Sequence, residues 1–381
     1  MSLIANWSYP TSIRFGAGRI VEIADACKTI GITKPLLVTD RGLAKLDITF
    51  KTLDLLSKAG LGRSIFSEVD SNPTEINAFA GIKMFIEGKH DGVIAFGGGS
   101  GIDLGKLVAF MIGQKRPIWD FEDIGNWWTR AETNKIMPII AVPTTAGTGS
   151  EVGRASVITN SQTKEKKIIF HPKFLPKIVI CDPELTVGMP LSITSGTGMD
   201  AFAHCLEAYC SPHYHPMSQG MALEGMRLVK ENLPIVYKDR NNIRGRSHMM
   251  SAAIMGATAF QKGLGAIHAA SHPIGAVHNT HHGTTNAVVM REVLLMNRSA
   301  IETKIELLCN YLEISGGFDG FISFVNNQNK VLNIPTSLTE MGVKDPNIKA
   351  LVQSALNDPS CSGNPIKLTH ENMTSLFESC L

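Results

Sequence analysis

Through the first half of the chain, short apolar runs rich in β-branched residues alternate with longer stretches that repeat an apolar residue every three or four positions. Residues 35–40 (PLLVTD), 63–69 (RSIFSEV), 91–97 (DGVIAFG) and 136–143 (IMPIIAVP) are too short and apolar for surface helices, and predict strands. Residues 43–59 and 74–89 predict the amphipathic helices that cross between them. A repeated strand, helix, strand order means a parallel sheet, because parallel neighbours need a long crossover. Runs at 154–159, 166–170 and 178–182 predict further strands, after which the strand signal nearly vanishes. From Leu191 onward the pattern is helical, over 192–210, 216–232, 247–261 and further segments to Leu381. Turn signals stand at Ser211-Pro212, Gly316-Gly317 and Gly363-Asn364. This shift predicts an α/β domain over 1–185 followed by an all-helical domain over 186–381.

A length of 381 residues agrees with two domains, and 44% hydrophobic against 18% charged residues gives each enough material for a core. The net charge is +2, far below the basic excess that neutralising a nucleic-acid backbone requires, so no nucleic-acid partner is expected. Seven scattered cysteines, with no CxxC pair, read as reduced thiols of a cytoplasmic protein. Residues 1–15 have no basic start before an apolar core, and no uncharged apolar stretch approaches the roughly 18 residues of a membrane span.

Two small-residue clusters follow predicted strands. Gly97-Gly98-Gly99-Ser100-Gly101 lies between the strand at 91–97 and a helix beginning near Ile102. Such glycines let the backbone approach a phosphate, whose charge is met by free N–H groups and the positive end of the helix dipole. The standard signatures fail: GxGxxG would need glycine at Ile102, and a P-loop would need glycine at Ser100 and a hydroxyl at Leu107. Thr144-Thr145-Ala146-Gly147-Thr148-Gly149-Ser150 follows the strand ending at Pro143, so both clusters belong to the carboxyl edge of one sheet, where open α/β sheets bind ligands. Asp40 ends an earlier strand, where its carboxylate would accept from a ribose 2′-hydroxyl and repel a 2′-phosphate, favouring NAD over NADP.

Five of the twelve histidines crowd between His268 and His282. In the preceding helical stretch Asp200 and His204 are four apart and share one helix face, and His268 and His272 repeat that spacing. A carboxylate with imidazoles suits a borderline divalent cation such as Fe(II) or Zn(II), and two ligands from each segment would make a four-ligand site. His213, His215 and His248 lack a paired carboxylate and read as structural. Neither HExxH nor a GxSxG nucleophile elbow occurs, and Cys205 beside His204 does not face it as a nucleophile faces its base.

Together, GGGSGIDLGK (97–106), PTTAGTGSE (143–151), DPEL (182–185), GMDAFAHCLEA (198–208), GLGAIHAASHPIGAVHNTHHGTTNA (263–287) and Asn364-Pro365 resemble the iron-dependent (group III) alcohol dehydrogenases along nearly the whole chain. That resemblance implies a parallel-sheet dinucleotide-binding domain followed by an all-helical metal domain, an architecture shared with dehydroquinate synthase. It places Asp200, His204, His268 and His282 on the metal ligands and His272 on a histidine near the nicotinamide. Gly98, Gly99, Ser100, Thr144, Thr145 and Thr148 fall on residues lining the cofactor phosphates and ribose, and Asp103 and Leu185 fall within the same cofactor segments. Asp40 matches the NAD-selecting carboxylate, Asn72 an adenine-side contact and Lys166 a lysine at the nicotinamide ribose. The sequence departs from the family at His281, commonly proline, and at Lys367, commonly arginine.

The implied activity is NAD-linked interconversion of a small alcohol and its aldehyde or ketone, with Fe(II), or Zn(II) in its place, and a homo-oligomer of at least two chains. Two alternatives remain at this stage. A lyase like dehydroquinate synthase would need several cations for a phosphate-bearing substrate, and 268–287 offers none. A non-catalytic metal-binding protein would explain the histidines but not the two loops. The 121–128 stretch (FEDIGNWW) is read either as an aromatic lid or as a loop anchor.

Overall fold

The structure is a computed structural model and describes residues 10–381, so the part of the leader expectation that concerns residues 1–9 lies outside the described residues. The chain divides into two units, one holding Pro10–Thr145 and Gly149–Val187, the other Ala146–Thr148 and Gly188–Leu381.

In the α/β unit the order is β1 (Ser12–Phe15), α1 (Ile23–Thr29), β2 (Pro35–Asp40), α2 (Asp47–Lys58), β3 (Ile65–Val69), α3 (Glu75–Gly88), β4 (Gly92–Gly97), α4 (Gly99–Met111), β5 (Ile139–Pro143), β6 (Ala155–Thr159), β7 (Lys166–Phe170) and β8 (Ile178–Cys181). Six strands form one parallel sheet in the order β1-β8-β5-β4-β2-β3. Helices flank such a sheet, so its central strands are buried on both sides; Leu36 to Val38, Val93 to Phe96 and Ile139 to Val142 are all core residues. This is why those runs read as unbroken apolar stretches rather than alternations. β6 and β7 leave the sheet and pair with each other, antiparallel, through a turn in which Lys164 takes a left-handed φ of 58°. β1 was not expected: a four-residue edge strand, half-exposed, has too few apolar positions to show a period.

The helical unit contains α5 (Leu191–Cys210), α6 (Pro216–Lys238), α7 (Ile243–Ala259), α8 (Ala266–His278), α9 (His282–Leu312), α10 (Gly317–Val331), α11 (Ile348–Leu356) and α12 (His370–Ser379). α5 is its axis, buried almost continuously from Thr194 to Cys210 and packed by α6, α7 and α9. A helix apolar or small all round is a core helix, so any charge on it must be answered from inside. α8 ends at Asn279, which takes a left-handed φ of 52° and turns the chain, and His281 then caps α9 by accepting from the Thr284 N–H. Among the described residues no helix is long and apolar enough to cross a membrane.

Candidate functional site

α5 sets Asp200 and His204 on one face, α8 brings His268, and the first turn of α9 brings His282. Their imidazoles converge on one oxygen: Asp200 Oδ1 lies 3.8 Å from His204 Nε2, 3.7 Å from His268 Nε2 and 3.5 Å from His282 Nε2. The approach of α9 depends on Gly283, where a Cβ would stand 2.1 Å from the Gly196 carbonyl oxygen and 2.9 Å from Asp200 Cβ. Asp200, His204 and His268 are all buried, and the His204 and His268 rings stack at 4.7 Å.

Burial opposes ionisation of Asp200, but the surrounding imidazoles outweigh it and hold its carboxyl far below the usual range. Burial pushes His204 down to about 4, leaving it neutral with a lone pair to offer. For His268 burial works the same way, yet Glu207 and Asp200 face it and raise it to about 10. Asn286, wholly buried, donates from Nδ2 to Asp200 Oδ1 at 2.8 Å, while its Oδ1 has no hydrogen-bond partner. A buried carboxylate ringed by imidazole nitrogens, with no lysine or arginine among its hydrogen-bond or ion-pair partners, is a donor set for a borderline divalent cation. Asp200, His204 and His268 each offer a ligand atom within 4.8 Å of the others, so these residues fit the group.

The other histidines of the cluster do different work. His272 stacks on His282 at 5.2 Å, and its Nδ1 is held by Asp358 Oδ2 at 2.7 Å. Asp358 is buried, which favours its neutral form, yet His272 and the Ser360 N–H pull it down to about 2. His281 spends Nδ1 on Thr284 as a helix cap, which separates it from its neighbour His282.

In the α/β unit the loop candidates gather at the carboxyl ends of β2, β3, β4 and β5. Gly97 takes a φ of 144°, open to glycine alone in practice, and turns the chain from β4 into α4, whose N-terminus carries no side-chain cap. The uncapped first-turn amides of α4 are what an anion requires, so the loop fits a pyrophosphate. The Thr144 N–H donates to the Gly97 carbonyl at 2.9 Å, tying the second cluster to the first, and Thr145 sits against Gly98. Ser100 Oγ donates to the Ser71 carbonyl at 2.6 Å, beside Asn72. Asp40 accepts at Oδ1 from the Gly42 and Leu43 N–H groups at 2.8 and 2.9 Å, bonds that do not use Oδ2.

Three expected cofactor residues are placed differently. Asp103 is spent internally: Ser150 Oγ and Lys106 Nζ bond its Oδ1, and the Val157 N–H its Oδ2. Leu185 packs into the hydrophobic core of the α/β unit. Thr148 belongs with the helical unit, where neighbouring Gly147 lies so close to Thr197 that a Cβ would stand 2.6 Å from that residue. Lys166 begins β7, opposite Thr159. The aromatic stretch is partly an anchor, with Phe121 buried against Phe110 and Arg130 lying 4.1 Å over the Trp127 ring.

The iron-containing alcohol dehydrogenase family matches residues 10–183, and that family's C-terminal domain matches residues 194–381. The chain belongs to the iron-containing alcohol dehydrogenases. It is 36% identical to 4-hydroxybutyrate dehydrogenase of Cupriavidus necator, covering 98% of this chain and 99% of that one. It is 32% identical to 1,3-propanediol dehydrogenase of Klebsiella pneumoniae over 95% of both, and 30% identical to NAD-dependent methanol dehydrogenase of Bacillus methanolicus over 99% and 100%. Among solved structures, 1,3-propanediol oxidoreductase superposes with a TM-score of 0.93 at 32% identity, covering 99% of this chain and all of that one. These relatives are dehydrogenases of alcohols and diols; none of them is a lyase or a metal store.

Within this iron-containing dehydrogenase three residues at the site went unread in the sequence. Glu207 stands three residues beyond His204 on the same face of α5, a spacing that could have drawn notice. Asn286, four residues beyond His282 on α9, had the same kind of spacing, whereas Asp358 gave no such sign, because its partner His272 is 86 residues away and only the tertiary fold joins them.

Proposed function

We propose that this iron-containing dehydrogenase interconverts a small primary alcohol and its aldehyde, with NAD at the α/β loops and one divalent metal, Fe(II) or Zn(II), held by Asp200, His204, His268 and His282. Primary alcohol is the chemistry common to the relatives named for 4-hydroxybutyrate, 1,3-propanediol and methanol. When bound, the metal supplies Lewis acidity toward an alcohol or carbonyl oxygen and NAD supplies the hydride acceptor.

The protein's own part is placement and proton handling. Asp200 stays ionised and His204 stays neutral, so both remain ligands at neutral pH. His272 donates its Nδ1 hydrogen to Asp358, which leaves Nε2 as an acceptor for the alcohol proton on its way to solvent. Gly98, Gly99 and Ser100 meet the pyrophosphate with N–H groups, Thr144 and Thr145 add hydroxyls, and Asn72 and Lys166 flank the two nucleoside ends. The open oxygen of Asp40 accepts from the adenosine ribose and repels a 2′-phosphate. The seven free cysteines, all but Cys361 buried, suit a reducing cytoplasm. The enzyme assembles as a homo-oligomer, and a monomer in sedimentation at micromolar concentration would contradict that.

The observation carrying this reading is the convergence of three imidazole nitrogens within 3.8 Å of one buried carboxylate oxygen that meets no lysine or arginine. Its test is NADH production from a series of primary alcohols by protein loaded with Fe(II) or Zn(II). Turnover with at least one short alcohol or ω-hydroxy acid is expected. Absence of NAD reduction with the whole series, in folded metal-loaded protein, would refute it.

A further inference from the structure

α8 begins at Gly265, which has no side chain to cap the helix, yet its first amides are all answered. The Ala266 N–H donates to Asn364 Oδ1 at 3.1 Å, and the Ile267 and His268 N–H groups donate to Glu207 Oε1 at 2.7 and 3.3 Å. The cap therefore comes from other elements, and glycine at 265 makes room for it: a Cβ there would stand 2.9 Å from Asn364 Oδ1 and 3.3 Å from Glu207 Oε1. The second oxygen of the same carboxylate, Glu207 Oε2, bonds His268 Nδ1. Both residues are buried, so no water competes for either bond.

We propose that Glu207 is a positioning residue for the metal site, one that fixes His268 in the tautomer with hydrogen on Nδ1 and a lone pair on Nε2, and docks α8 on α5 so that this lone pair faces Asp200 and His204. The chemistry requires this division of labour. A carboxylate only accepts, so the nitrogen facing Glu207 keeps its hydrogen, and the opposite nitrogen, 3.7 Å from Asp200 Oδ1, is the one that can give up its own to bind a cation. One side chain thus sets the rotation of the ring and the seating of the helix that carries it. The inference rests on the metal-site reading above, and the experiment separates the two.

Glu207→Gln is the informative change. Two amides converge on the position of Oε1, so the glutamine carbonyl stays there and keeps the cap, while its NH₂ is turned toward His268 Nδ1, a donor against a donor. The ring must then carry its hydrogen on Nε2 or rotate. Measured by competition against a chromogenic chelator, Zn(II) affinity of Glu207→Gln should fall roughly 10- to 100-fold, the range for loss of such a partner. Undiminished Zn(II) affinity in this variant overturns the role of Glu207 and leaves the metal site standing. A wild type that takes up no Zn(II) contradicts the metal site itself and this proposal with it. Because the variant could fold poorly, ¹⁵N shifts of the imidazoles in Zn(II)-loaded wild type give an independent reading: hydrogen on His268 Nδ1 is expected, and metal on Nδ1 with hydrogen on Nε2 would overturn the assignment.

Discussion

Each unit of this protein buries a cluster of charges, and the two clusters are balanced in opposite ways. In the α/β unit, fully buried Lys106 donates to the Ser150 carbonyl and hydroxyl, both at 2.9 Å, and lies 3.5 Å from Asp103 Oδ1, with Glu151 close enough to feel its charge. Cation, carboxylates and hydroxyl satisfy one another, and the result ties α4 to the segment after the second loop. In the helical unit, Asp200 meets only imidazoles and an amide, so the positive charge facing it rests on an imidazole proton that a divalent cation can displace. A buried cluster closed by a lysine is a strut; one closed only by displaceable imidazole protons is a socket for an ion.

The comparison can be broken most severely at the socket. Asp200→Ala should abolish metal retention and lower turnover by about a thousandfold or more, since Lewis-acid stabilisation contributes several kcal/mol to the barrier. The metal-free variant should be destabilised as well, because the attraction between the Asp200 carboxylate and the imidazoles around it is lost with the Asn286 bond. At the strut no metal is lost and stability alone is expected to change. Lys106→Met leaves Asp103 and Glu151 buried without their cation, which should cost about 3–5 kcal/mol of folding stability by denaturant unfolding. A Lys106→Met protein as stable as wild type would mean the cluster is not balanced as described.

Glu151 sharpens the same point through pH. Burial raises its carboxyl to about 7 from the usual 4.5, and Lys106 offsets this only in part. The folded state thus keeps a proton that the unfolded chain has released, so this contribution is full below the unfolded value and is lost as pH rises through about 7, up to about 3 kcal/mol in all. Glu151→Gln should flatten stability between about pH 4.5 and 7, and an unchanged slope would show that Glu151 does not titrate there. The smallest effect is expected at Asp40. Asp40→Gly should raise NADPH use relative to NADH by roughly tenfold or more, through loss of both acceptor and repulsion. It should also cost about 1 kcal/mol, because Asp40 Oδ1 caps two amides. An unchanged cofactor ratio with that stability loss would reduce Asp40 to a turn residue.

The sheet and the helical unit were legible because buried parallel strands and packed helices write their periods locally. Strands β2, β4 and β5 are apolar runs ended by turn chemistry, and Asp200 with His204 shows one helical face. β1 escaped because four half-exposed residues carry no period. What joins the site is less local. Whether His281 or His282 faces Asp200 is decided by the left-handed turn at Asn279, and the roles of Glu207 and Asp358 exist only once α8 docks against α5 and against the turn at Pro359–Gly363. Asp103 illustrates the converse: a motif position beside a glycine loop whose oxygens are all consumed inside the fold.

The most direct test is to measure metal content and turnover on one preparation, before chelation, after it, and after adding back Fe(II) or Zn(II). The account predicts one divalent metal per chain, loss of alcohol-dependent NADH production on its removal, and recovery on return of either ion. Alcohol-dependent NADH production at full rate by metal-free protein would contradict it.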